Sequence, residues 1–143
     1  MKIIHKFRDE YYFLSNFYET PIFYRGLHYG SSETAYQAQK CTAEEEKAAF
    51  THISPDAAKK KGQQVQLRQT WDNEKIAIME EIVRCKFTQH DDLKALLLAT
   101  GDALLEEGNT WNDTFWGVDL ANGCGQNNLG KILMKIRGEL SNV

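Results

Sequence analysis

The most regular apolar pattern in the chain lies between positions 72 and 89. Ile76, Met79, Val83 and Phe87 fall at i, i+3, i+7 and i+11. That is the spacing of one buried stripe on an α-helix, and it predicts the longest helix from about Asp72 to Gln89. Leu129, Ile132, Leu133 and Ile136 carry the same period inward on a final helix beginning near Asn127. A helix over about 91–100 stops at Gly101. The first thirty residues alternate aromatics with turn formers instead, and Ile22-Phe23-Tyr24, Arg25-Gly26 and Leu27-His28-Tyr29 predict a short hairpin. Ser31 or Ser32 caps a helix running to about Cys41. Another covers about 43–51, and Ser54-Pro55 opens a third that stops at Gly62. Residues 103–124 mix short extended pieces with loops. The sum is an α+β chain, a single helix-dominated domain with a few short strands over residues 1–143, with no repeat or linker.

Composition agrees with that picture and narrows the chemistry. With 143 residues the chain is long enough to bury a core without staples. Hydrophobic residues are 42% and charged residues 26%, an ordinary globular balance. No apolar run approaches the roughly 20 residues of a membrane helix. The N-terminus, MKIIHKFRDEYY, turns charged and aromatic too early for an export signal, so the expected location is the cytoplasm with no membrane partner. A net charge of −3 argues against a surface built to grip duplex nucleic acid, yet leaves room for a small phosphorylated ligand. Cys41, Cys85 and Cys124 are far apart, and His5, His28, His52 and His90 are scattered. Free thiols, no metal and no cofactor are the expectation.

Four segments carry candidate chemistry. On a helix, Glu33, Tyr36, Gln37 and Lys40 fall at i, i+3, i+4 and i+7 on one face, with the Cα atoms of Glu33 and Lys40 about 10 Å apart. That face is either a solvated polar surface or a slot about one sugar wide between a carboxylate and an amine. Ala35 and Ala38 lie off it and permit close packing. Asp113, three residues before Trp116 and its neighbour Gly117, is either a turn former beside a core tryptophan or a polar group beside a stacking platform. The glycines before Asn127 lead into a helix whose first N–H groups suit an anion, or are only a turn. Arg137 lies further along that helix, and Arg8 is a second cationic candidate for a phosphate. The loop Phe13-Leu14-Ser15-Asn16-Phe17-Tyr18 is either an aromatic mini-core or a place where Phe17 stacks a base and Asn16 meets its edge.

Taken in order, these segments resemble the YbiA/NADAR family: FLSNFY at 13–18, SSETAYQAQK at 31–40, Trp71, KF at 86–87, LLLATGDALLEE at 96–107, DTFWGVD at 113–119 and GQNNLGKILMKIR at 125–137. The resemblance spans nearly the whole chain. It implies an α+β, largely helical fold and hydrolysis of N-glycosidic bonds to ribose. The substrate would be a phosphorylated ribosyl aminopyrimidine of riboflavin synthesis, a ribosyl purine, or ADP-ribosylated guanine in nucleic acid. A non-catalytic ADP-ribose or NAD module is the rival. The family's acidic residue falls on Glu33, its lysine on Lys40, and its Asp and Trp on Asp113 and Trp116.

Breaking such a bond puts positive charge on the anomeric carbon and electrons on the leaving nitrogen. Glu33 and Asp113 can share the work as a carboxylate pair. Alternatively, a neutral Lys40 attacks carbon and forms a Schiff base while Glu33 moves protons. Lys40 as nucleophile is the favoured reading, with Trp116 and Phe17 stacking the base. These assignments expect the helix bearing Glu33 and Lys40 to share one pocket with Trp116.

Overall fold

The computed structural model describes residues 2–142, so the two terminal positions of the expected 1–143 domain lie outside the described residues. The fold is the expected helix-rich α+β type. Its strands are short, and the chain gathers into two compact units. One is Asn16–Gln89; the other comprises the described parts of Met1–Ser15 and His90–Val143.

The unit Asn16–Gln89 opens with the expected hairpin. Strand β1 is Ile3–Ile4, in the other unit, and the hairpin pairs β2 (Glu19–Tyr24) with β3 (Leu27–Ser31) antiparallel. Tyr24 pairs with Leu27 across Arg25 and Gly26, which both hold positive φ (48° and 87°). That is the twist a two-residue hairpin turn demands, and Gly26 takes it without strain. Thr20, Ile22 and Tyr24 alternate inward along β2. Helix α1 is Ser32–Ala38, α2 is Glu44–Ala48, α3 is Pro55–Gly62 and α4 is Trp71–Gln89. Ser31 is the cap of α1. Its hydroxyl accepts from the Thr34 N–H (3.1 Å), and the Thr34 hydroxyl accepts from the Ser31 N–H (3.0 Å). Ser54 caps α3 with proline at its first position.

Two expectations about these helices are corrected. Ile76 is exposed. The buried arc of α4 runs through Ile78, Met79, Ile82, Val83, Lys86 and Phe87, rotated away from Ile76 toward the side that packs on β2 and α1. Helix α1 also ends at Ala38 rather than near Cys41, so Gln39 and Lys40 lie in the turn beyond it.

In the other unit a 3-10 helix covers Asp9–Leu14. Strand β1 pairs in parallel with β4 (Leu104–Leu105), and β5 (Gly108–Asn109) pairs in parallel with β6 (Val118–Asp119). Helix α5 is Asp91–Ala99 and ends before Gly101, whose φ is 64°. Helix α6 is Asn128–Ser141; Leu129, Ile132, Leu133 and Ile136 are buried as expected, and it packs on α5 and β4. Among the described residues no helix is long and apolar enough to cross a membrane.

Candidate active site

In the unit Asn16–Gln89, every residue of α1 is buried, Glu33 and Gln37 included. The polar face is therefore not a solvated one. Burial of a carboxylate requires donors, and Gln37 Nε2 donates to Glu33 Oε2 at 2.7 Å. The i, i+4 spacing that set these two on one face makes this bond possible. The backbone of Glu33 is fixed as well: its N–H donates to the Asn16 carbonyl at 2.9 Å. Asn16 does more, since its Oδ1 accepts from the Ser32 hydroxyl (2.9 Å) and its Nδ2 points at Met79 Sδ (3.4 Å). The expected base-edge ligand is thus spent on holding the first turn of α1.

Tyr36 is buried and its ring tilts against Trp71, centroids 5.2 Å apart. It braces α1 on the first turn of α4. Phe17 is half-buried with Lys59 Nζ 5.9 Å from its ring centroid. Lys40 departs from the expected geometry. Its N–H donates to the Gln37 carbonyl (3.2 Å), three residues back, so this turn is wound tighter than an α-helix. Lys40 is displaced from the α-helical position two turns beyond Glu33, but it still senses that carboxylate. Burial lowers the Lys40 pKa, the Glu33 charge raises it, and the nearby Lys75 charge lowers it. The Lys40 carbonyl accepts from the Arg68 N–H (3.3 Å), and Arg68 Nε donates to the Gln39 carbonyl (3.0 Å), which holds the turn in place.

Lys86 carries no assigned role in the sequence reading, yet it is 1% exposed. Its amine lies 5.4 Å from the Tyr18 ring centroid and 5.2 Å from that of Phe87. Burial pushes its pKa down to about 7. The signal was present: position 86 falls at i+3 and i+7 from Val83 and Met79, inside the apolar arc.

In the other unit, the segment 109–128 is built around Asn109. Asn109 Oδ1 accepts from the N–H groups of Trp111 (3.3 Å) and Asp113 (3.0 Å), and its Nδ2 donates to the Asp113 carbonyl at 2.8 Å. Nothing in the sequence pattern singled it out. Asp113 Oδ1 accepts from the N–H groups of Phe115 (3.2 Å) and Trp116 (2.9 Å). Asp113 is thus the turn former, and it presents Trp116, which is half-buried and stands edge-on to Phe115 (4.8 Å, 87°). Gly117 is buried where any side chain would meet the Glu107 carbonyl and Asn109 Nδ2, so its role is close packing within the loop.

The expected anion site at the start of α6 is corrected. The N–H groups of Gln126, Asn127, Asn128 and Leu129 donate to the carbonyls of Thr114, Gly117, Phe115 and Trp116, at 2.7 to 3.2 Å. Donors filled in this way do not hold a phosphate. Asn127 is likewise occupied, its Nδ2 donating to the Leu105 carbonyl (2.9 Å) and its Oδ1 accepting from the Glu107 N–H (3.1 Å). Arg137 Nη1 donates to the Thr100 hydroxyl (2.9 Å) and ties α6 to the end of α5. Arg8 is exposed, with its guanidinium carbon 5.9 Å from the Trp111 ring centroid. Among the described residues no group of three or more His, Cys, Asp and Glu is placed to hold a metal ion.

Comparison with known proteins assigns the class of chemistry. The model of the NADAR domain matches residues 4–141. The chain is 40% identical over 136 residues to N-glycosidase YbiA of Escherichia coli (strain K12), covering 93% of this chain and 84% of that protein. It is 42% identical over 132 residues to a riboflavin biosynthesis protein of Vibrio vulnificus (strain YJ016); this is 90% of this chain but only 35% of that longer one. The NMR structure of the Escherichia coli protein YbiA superposes with a TM-score of 0.87 at 37% identity, covering 99% of this chain and 86% of that one. The chain therefore belongs to the NADAR family, and within it is a hydrolase of the YbiA N-glycosidase type.

Proposed function

We propose that the substrate is a phosphorylated ribose joined through C1′ to the nitrogen of an aminopyrimidine, and that Glu33 and Lys40 carry the hydrolysis. The observation behind this reading is the buried Glu33, held by Gln37 at 2.7 Å, on the same segment as a lysine whose charged form burial disfavours. A neutral amine next to a proton carrier is what nucleophilic attack on a sugar carbon requires. Kinship with a protein named for riboflavin biosynthesis supports the aminopyrimidine as leaving group.

The ribose opens, so that C1′ is double-bonded to the departing nitrogen. Lys40 Nζ adds to C1′. The nitrogen then leaves with a proton delivered by Glu33, and C1′ remains bound to Lys40 as an imine. Water adds to C1′, Glu33 takes the proton back, and Lys40 is released as the sugar closes. The net change is one water consumed, with a free amine and a free ribose phosphate formed. In the other unit Asp113 fixes the Trp116 backbone, a positioning role, and the half-buried Trp116 ring is the proposed stacking platform for a base. Arg8, exposed in the other unit, is the proposed cation for a phosphate.

The test is product analysis after separate incubation with a ribosylaminopyrimidine 5′-phosphate and with ADP-ribosylated guanine in single-stranded DNA. Ribose 5-phosphate from the first and nothing from the second is the expected result. Release of ADP-ribose from the DNA alone would replace the nucleotide with the nucleic acid as substrate.

A further inference from the structure

We propose that Gly62 is a positioning residue for the hydrolysis, its missing side chain being the space that lets Gln37 hold Glu33. This rests on the reading of Glu33 as the proton carrier. Gly62 is the last residue of α3, which packs on α1, and it is buried. The amide of Gln37 is wedged between two neighbours. Its Nε2 donates to Glu33 Oε2, and its Oε1 lies against Gly62. A Cβ built on Gly62 would collide with that Oε1 and stand 2.8 Å from Gln37 Cδ. Contacts this close do not occur, so a methyl group there forces the amide to move.

The orientation of the amide is not arbitrary. Once Glu33 has given up its proton it only accepts hydrogen bonds, so in that state the NH₂ group faces Glu33 and the carbonyl oxygen faces Gly62. That oxygen is buried and has no hydrogen-bond partner among the described residues. An unpartnered buried acceptor is unfavourable, and here it accompanies a donor fixed on the proposed catalytic carboxylate. Gly62 also has no conformational reason to be glycine. Its backbone is not left-handed, and inside a helix alanine is the better residue. As a helix stop, the role the sequence assigned to it, Gly62 was correctly located but its purpose is different.

The experiment combines a spectroscopic and a kinetic arm on the full chain. In the native protein the Gln37 side-chain NH₂ resonance, assigned by its loss in Gln37→Ala, should move in Glu33→Gln. In Gly62→Ala it should leave its native position, while the thermal melt stays cooperative. An unmoved Gln37 resonance in Gly62→Ala overturns the proposal whatever the activity. Kinetically, Gln37→Ala and Gly62→Ala should each lower kcat about tenfold, as loss of one hydrogen bond to a charged group does, with KM little changed. The double variant should lose no more than about tenfold, because both changes remove the same bond. A double variant down about a hundredfold, or a Gly62→Ala effect confined to KM, overturns the role of Gly62 alone. Native kcat in Glu33→Gln would instead sink the catalytic reading of Glu33, and this proposal with it.

Discussion

The segment Ser31–Lys40 and the loop 109–128 are both rich in polar residues, and they use them in opposite ways. Around α1 side chains bond other side chains: Gln37 with Glu33, Thr34 with Ser31, and Asn16 with Ser32. What is left over is chemistry, a buried carboxylate and a partly buried amine. In the loop the polar groups satisfy the backbone. Asn109, Asp113 and Asn127 fill the hydrogen bonds of a chain with little regular structure, and carbonyls 114–117 fill the donors at the start of α6. What is left over there is a surface, the half-buried ring of Trp116. A buried backbone without helix or sheet must find partners somewhere, so polar residues in such a loop are structural first.

This contrast can be broken by substitution, and the largest effect should come from α1. Glu33→Gln should lower kcat by roughly 10²–10⁴, the range for loss of a general acid–base, with the melt preserved. A loss under fivefold in steady-state kinetics would leave Glu33 with a structural role only. Trp116→Ala comes next. It should weaken substrate affinity by about 1–3 kcal/mol in a binding titration while kcat falls less. Collapse of the cooperative melt would mean that the ring is core rather than platform. In the same loop, Asp113→Asn keeps an acceptor for the Trp116 N–H and should retain most turnover, whereas Asp113→Ala should not. Equal, near-total losses in both would make Asp113 a catalytic acid instead of a positioning residue.

A smaller effect concerns Lys86 and sharpens what burial does to an amine. Below about pH 7 it is charged in folded and unfolded chains alike. Above that, the folded protein has released a proton that the unfolded chain keeps, so stability rises with pH. Between pH 7 and 9 the gain should be about 2 kcal/mol more for the native protein than for Lys86→Met, read from urea melts. Parallel pH profiles for the two would contradict a depressed Lys86. The same logic applies to Lys40, where Glu33 opposes the effect of burial. Removing that charge in Glu33→Gln should shift the pH dependence of Lys40 reductive methylation further down.

Much of this was legible in the sequence, for reasons that differ by element. The hairpin was legible because Arg25-Gly26 between alternating apolar residues admits few alternatives, and α3 because Ser54-Pro55 is a strong start. That Glu33 and Gln37 share one face followed from helical spacing alone; that they bond to each other did not. Three further things were not legible. Where α1 stops depends on Arg68 holding the carbonyls of Gln39 and Lys40 from nearly thirty residues away. The exposure of Ile76 depends on which side of α4 the hairpin covers. The filling of the α6 donors depends on a loop with no periodicity, so the glycines at 123 and 125 looked like an open anion site when the chain folds back over it.

The most direct test of the central claim is chemical capture at Lys40. If its amine attacks C1′, borohydride added during turnover of a ribosylaminopyrimidine 5′-phosphate should reduce the imine to a stable adduct. The mass gain of the reduced ribose phosphate should map to the peptide containing Lys40. Lys40→Arg, which stays protonated and cannot form the imine, should bind ligand but give no adduct and almost no turnover. Substantial turnover in Lys40→Arg with no adduct in the native protein would contradict the account, leaving hydrolysis to the carboxylates.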